Sequence, residues 1–475
     1  MTRPALRDHD ARLGTQGNSP GSSQPTNGKE EKMDQTPEYE ARLMRKITWK
    51  VVPFLCICFM AAFLDRVNVG FAKEQMSKDL HMDATVYAAG AGIFFIGYFL
   101  FEVPSNLILA KVGARSWIAR IMITWGIISA SFAFVQGEKS FYVLRFLLGA
   151  AEAGFFPGVI FYLTKFFPGA YRSRTIALFM MAAAGTGIIG SPLSGAILSL
   201  DGVAGFAGYK WLFFLEAVPS LLLGVILFLR LPNGPEEAKW LAPDEKSWLA
   251  ERLEKDRVAA GPSAHTSFKQ ALTDPRVLVL CFVYFTHVLA GYGLDFFLPT
   301  LIKGEYKTSS TFIQGCITGV PAIFAIIIMG PYGRSSDRRG ERKWHYALAV
   351  WWAAIGLLVA SLHPAPIFCV IALGFVVAGR WSAVAPFWGL TTAFLSGTAA
   401  AGSIALINAV GNLGGICGPY IMGWSEKNLG SHDWGLRVLA MLAVLGGLIA
   451  TRIKVKTPGA ATPLSTDAQI AEVQS

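Results

Sequence analysis

The chain has 475 residues, of which 53% are hydrophobic and only 16% charged, where soluble domains carry about 25% charged residues. That balance points to an integral membrane protein and away from a soluble enzyme. The formal charge of +10 does not imply a nucleic-acid partner, because the basic residues sit in short loops beside apolar segments.

Residues 1–38 are polar and rich in Gly, Pro and Ser, and read as a disordered cytoplasmic tail, not a signal peptide. Apolar segments of spanning length, about 20 residues each, then recur along the chain. The first six lie near 51–72, 86–110, 117–136, 141–164, 175–198 and 211–230, forming an N-terminal bundle over 39–230. A hydrophilic linker over 231–276 follows, with Pro243 and the charged residues after it marking a helix start. Six further spans near 277–301, 312–332, 345–362, 366–390, 397–424 and 434–452 make a C-terminal bundle over 277–455, and 456–475 is a second cytoplasmic tail.

Several spans carry polar residues that a bilayer disfavours. The first places Asp65 beside Arg66 in AAFLDRVNVGFA, where each charge costs on the order of 3 kcal/mol at the membrane midplane. Either the two neutralise one another, or the helix faces a polar cavity in which the arginine binds an anion and the aspartate carries a proton. Adjacent helical residues point about 100° apart, so they cannot both face one partner well. The second span holds Tyr98 near Glu102. The fourth holds Arg145 and Glu152, on one helical face and about 10 Å apart along the axis. Arginine's planar fork suits a carboxylate, whereas burial favours the neutral form of a carboxyl. Opening and closing of such a cavity would alter both.

In the second half, the seventh span carries His287, Tyr292 and Asp295, with Gly291 and Gly293 suggesting a bend. The tenth holds Arg380, a candidate second carboxylate clamp or a salt-bridge partner, and Trp388, a cavity wall or an interfacial anchor. In the eleventh, Asn408 and Asn412 share one face; either can contact substrate or serve as interhelical glue. Glycines such as Gly149, Gly154, Gly158 and Gly195 read as close helix packing. The six cysteines fall inside apolar segments without metal spacing, so no metal site and no disulfide framework is expected. No phosphate-binding loop, nucleophile motif or cofactor site is present, and the chain is not expected to be an enzyme.

Two marks argue for an internal repeat. The loops NLILAKVGAR (106–115) and GRSSDRRGER (333–342) place Gly113 and Gly340 at the same separation as Pro192 and Pro419 in the fifth and eleventh spans. The basic residues Lys111, Arg115, Lys165, Arg172, Arg174, Arg334, Arg338 and Arg339 cluster in the even-numbered connections, which puts both termini and the linker in the cytoplasm.

These features together resemble the major facilitator superfamily across 40–455. Within it, DRVNVGFA (65–72), EVPSNLILAKVGAR (102–115), RFLLGAAEAGFFPG (145–158) and INAVGNLGGICGP (407–419) are similar to the anion:cation symporter family, which includes tartrate, phthalate, galactonate and hydroxyphenylacetate permeases. GRSSDRRGER matches the superfamily's loop pattern. The first copy departs from it at Asn106 and Ala110. The resemblance implies an all-α membrane protein of the major facilitator fold, with twelve transmembrane helices in two pseudo-symmetric six-helix bundles. It implies proton symport of a small organic anion into a bacterial cell across the inner membrane, by a functional monomer with no cofactor. Asp65 and Glu152 match the family's proton-coupling carboxylates and Arg66 its substrate-binding arginine; Tyr98 matches a substrate-contacting tyrosine. Arg145, Trp388 and Asn408 are expected to complete the substrate site, with His287, Arg380 and Asn412 as further candidates. An anion exchanger or uniporter, or an anion sensor that moves nothing, are the alternative readings.

Overall fold

The computed structural model describes residues 37–260, 274–306, 310–394 and 400–453, and these are helical apart from short connections. Residues 37–46, the opening turns of the first helix, belong to a unit separate from the rest of the described chain. The first half comprises α1 (Pro37–Val67), α2 (Val69–Asp79), α3 (Ala84–Val112), α4 (Ala114–Ser131), α5 (Glu138–Glu152), α6 (Phe155–Thr164), α7 (Gly169–Leu198) and α8 (Gly208–Arg230). The linker contributes α9 (Pro243–Ala260), starting at the proline that the sequence marks. The second half comprises α10 (Pro275–Asp295), α11 (Leu298–Glu305), α12 (Thr311–Arg339), α13 (Lys343–Ala360), α14 (Pro366–Phe394), α15 (Ala400–Asn412), α16 (Gly414–Leu429) and α17 (Asp433–Arg452).

Local sequence explains the helix starts. Asp83 accepts from the backbone N–H groups of Thr85 and Val86 at 2.8 and 2.9 Å, capping α3. Asp274 caps α10 with Pro275 in its first turn. Eleven described helical segments are long and apolar enough to cross a membrane. The span expected over 397–424 is described as α15 and α16, two shorter helices interrupted at Leu413. The first span, expected over 51–72, runs from Pro37 to Asp79 with an interruption at Asn68. Charged Lys73, Glu74 and Asp79 continue that helix beyond the apolar window, where hydropathy stops but backbone hydrogen bonding does not. The tails expected at 1–38 and 456–475 lie outside the described residues apart from Pro37 and Glu38, and so does 261–273 of the linker.

The packing repeats itself. In the first half α3 packs on α5 and α4 on α8; in the second α12 packs on α14 and α13 on α17. Between halves, α7 lies on α12 and α3 on α16. These are the contacts that two copies of one six-helix unit would make, related by an axis along the membrane normal. Small residues make the close approaches possible: a Cβ on Gly195 would stand 2.3 Å from the Thr311 carbonyl oxygen. Large apolar side chains such as Val103, Leu107, Leu229 and Ile327 are exposed, while Asp65, Arg145, Glu152 and Glu216 are buried. A bundle apolar outside and polar within is solvated by lipid.

Candidate functional site

Asp65 and Arg66 end α1 and diverge into different surroundings. Arg66 reaches the place where the halves meet. It forms an ion pair with Glu152 at the end of α5 and donates from Nη1 to the Tyr292 hydroxyl of α10 at 2.7 Å. The rings of Phe94 and Tyr98 lie 5.2 and 5.3 Å from the guanidinium carbon, close enough for cation–π attraction. Its Nε is buried without a partner. Asp65 turns into the interior of its own half, accepting from Trp125 Nε1 at 3.0 Å, Ser129 Oγ at 2.8 Å and Ser220 Oγ. The pair does not neutralise itself: each member has partners of its own, as the angular separation of neighbouring helical residues requires.

Glu152 is placed by a break. The helix stops at Ala153, and Gly154 adopts a left-handed conformation with φ of 89° before α6 begins. A Cβ there would lie 2.3 Å from Ser105 Oγ, so only glycine fits. Arg145, two turns earlier on α5, donates to the carbonyl oxygens of Gly90 and Ala91 at 3.2 and 3.3 Å and rests on the Phe94 ring. These contacts brace α5 against α3.

The second half supplies a matching arrangement. Arg380 of α14 forms an ion pair with Asp295 at the end of α10, and its guanidinium carbon lies 5.0 Å from the centre of the Tyr292 ring. Tyr292 therefore touches both arginines. Gly291 permits this, since a Cβ there would fall 2.4 Å from Arg380 Nε. Asn408 of α15 donates to Glu102 of α3 at 3.1 Å, across the halves. Trp388 stands edge-on to Tyr284, which stacks on His287 and Phe387. Asn412 closes α15 and is half-buried. A cavity of about 70 Å³ adjoins Asp295 and is lined by Phe63, Thr186, Thr318 and Trp381 among others. Ligand sites are usually larger than about 300 Å³. In this conformation each arginine is covered by a carboxylate of the chain itself.

One end of the bundle is fastened across the halves. Lys73 pairs with Glu426, Lys303 with Glu74, and Lys427 with Asp83 at 2.9 Å. The Tyr87 hydroxyl donates to the Phe296 carbonyl nearby at 3.0 Å. The hydrogen bond from Lys427, with those from two backbone amides, holds the Asp83 carboxyl below its usual range.

Sequence reasoning singled out Arg66, Glu152, Tyr98 and Arg380, which the structure brings to the meeting of the halves. It gave no role to Asp295 or Glu102, whose only signal is an acid in an apolar run, and it passed over Glu216 in WLFFLEAVP altogether. The family model described as Major Facilitator Superfamily matches residues 55–313 and 280–473. A putative tartrate transporter of Agrobacterium vitis is 47% identical over 425 residues, covering 90% of this chain and 94% of that protein. A quinolone resistance transporter of Acinetobacter baumannii is 41% identical over 416 residues, covering 88% of this chain and 95% of that one. Among solved structures, the inward-facing, unoccupied form of a bacterial homolog of the human lysosomal transporter Spinster superposes with a TM-score of 0.67 at 16% identity. That match covers 85% of this chain and 95% of that one.

Proposed function

Because the chain belongs to the Major Facilitator Superfamily and is a multi-pass membrane transporter, we propose that it imports a small organic carboxylate by proton symport. Arg66 carries this reading. It is a buried guanidinium between the halves, held by Glu152 and Tyr292 from opposite sides. A substrate carboxylate offers the same two oxygens as Glu152. When Glu152 takes up a proton it loses its hold on Arg66, and the anion replaces it; when the anion leaves, Glu152 gives up the proton and returns. Proton and anion thus arrive together because they exchange places at one guanidinium. Tyr98 walls the anion, and Asp65, on the adjacent position of α1, takes the second proton.

The second pair, Arg380 with Asp295, repeats the device 85 residues apart in sequence and joins the first through Tyr292. Two covered arginines favour a substrate with two carboxylates. The relative named as a tartrate transporter makes tartrate the first acid to try. The basic residues of the even-numbered connections support cytoplasmic termini in a bacterial cell membrane, which puts the fastened end on the outer face.

Proteoliposomes containing a trapped pH dye test the reading. Wild-type protein is expected to accumulate tartrate against its gradient when the outside is acid, acidifying the interior as it does so. Asp65→Asn and Glu152→Gln are expected to lose uphill uptake yet keep counterflow of labelled tartrate. Uphill uptake that both variants retain would rule out these carboxyls as couplers.

A further inference from the structure

Glu216 has no part in the site above. It lies on α8, buried at 2% exposure, and one carboxyl oxygen meets the Ser194 hydroxyl of α7 at 2.6 Å. The other oxygen makes no hydrogen bond of good geometry and lies beside the equally unpaired Nδ2 of Asn68, the residue at the interruption between α1 and α2. A buried carboxyl with one unsatisfied oxygen and no cation is the setting of a neutral acid, because an ionised one would need several donors.

Its position on α8 is as informative as its burial. Tyr209, Glu216 and Ser220 follow one another at intervals of seven and four residues, so they share one face of the helix. All three are buried. At the outer turn of α8, the Tyr209 hydroxyl donates to Asp79 at 2.6 Å. Glu216 comes about 10 Å further along the helix. Ser220, one turn deeper again, donates to Asp65. The elements packed on this face present Asp65, Asn68 and Asp79 from α1, α2 and their junction, Trp125 and Ser129 from α4, and Ser194 from α7. Among the described residues, no lysine, arginine or histidine is bonded to Glu216 or Asp65.

We propose that Glu216 is a further proton carrier, supplying Asp65 along this file of buried polar side chains inside the first half, away from the Arg66 site. Ser220 is the bridging hydroxyl: it passes its proton to the Asp65 carboxylate and takes the one released by Glu216. Glu216 is then recharged from water at the end of α8 that carries Tyr209 and Asp79. One carboxyl loses the proton that the other gains, so no charge is created in the bundle. The proton supply and the anion would therefore enter by different routes and meet only at the end of α1. This rests on the symport reading.

Infrared difference spectra of the full chain in liposomes, recorded with tartrate absent, test the first part. Glu216→Gln is expected to remove one protonated-carboxyl band that Asp65→Asn leaves in place, and Glu216→Asp to restore a shifted one. An unchanged band pattern in Glu216→Gln would overturn the proposal. Labelled tartrate and a trapped pH dye test the second part. Glu216→Gln is expected to keep counterflow while proton-driven accumulation falls and protons moved per tartrate decrease; Glu216→Asp is expected to recover both. Wild-type proton movement per tartrate in Glu216→Gln would make Glu216 a structural acid and overturn the proposal alone. Tartrate uptake without proton movement in the wild type would instead overturn the symport reading.

Discussion

Two arginines, each held by a carboxylate from another helix, set the chemistry of the central site. Removing one member of such a buried pair costs about 3–5 kcal/mol because the other charge is left uncompensated. A test of Arg380 must therefore neutralise Asp295 in the same variant. Arg380→Gln with Asp295→Asn is expected to weaken tartrate binding by about 10- to 100-fold, since charge-assisted hydrogen bonds contribute about 1.5–3 kcal/mol. Binding of a monocarboxylate should change little, because Arg66 keeps its own partners. Competition by the two acids against labelled tartrate separates the cases; equal loss for both would show that Arg380 does not read the second carboxylate. Arg66 and Glu152 were legible in the sequence because a bilayer makes a buried charge costly. Their pairing was not, because no spacing rule joins residues 86 positions apart. Asp65 shows the converse: it was legible as a buried acid, yet its three donors come from α4 and α8 and could not be named in advance.

Hydropathy locates helices but is blind to where they break. Apolar runs of about 20 residues mark the spans, whereas the interruptions at Asn68, at Ala153–Gly154 and at Leu413 leave no trace in them. Each break lies within a few residues of a polar group at the centre, since Asp65 and Arg66 precede the first, Glu152 the second and Asn408 the third. In sequence, the glycine run on the fourth span reads as packing. Gly154 does pack, with Ser105, but it also supplies the left-handed residue that ends α5 at Glu152. Gly154→Ala should destabilise the protein by roughly 1–3 kcal/mol from backbone strain and the clash with Ser105. Adding Ser105→Gly should recover only the packing share. Thermal unfolding in detergent measures the loss, and proton-driven tartrate accumulation reports whether Glu152 still reaches Arg66. An unstrained, fully stable Gly154→Ala would mean that this break does not place the carboxylate.

Across the whole molecule, pH acts on stability as well as on the proposed coupling, and the two are separable by sign. His363, between α13 and α14, bonds Glu305 at the end of α11 through Nδ1 at 2.8 Å and Asp433 at the start of α17 through Nε2 at 2.9 Å. Both partners are acceptors, so the ring must carry both protons to satisfy them. The hydrogen bond to Glu305, with the nearby Asp433 charge, raises its pKa above the ordinary value. A raised folded-state pKa contributes stability in full below the unfolded value of about 6.5, and that contribution is lost as pH rises through the folded one. Asp83, held low by Lys427, behaves oppositely: its contribution is complete above about 3.9 and fades only in more acid solution. Between these limits Asp83 keeps its contribution in full, and the His363 tie weakens towards alkaline pH. The ring is mostly exposed, so the loss should be small. Melting temperature is expected to decline from near neutral pH upward in the wild type and to lose that slope in His363→Gln. Proton-driven tartrate uptake by His363→Gln should keep its wild-type pH dependence, because Asp65 and Glu152 are untouched. A wild-type melting slope that survives His363→Gln would show that another group ties α11, α13 and α17 together.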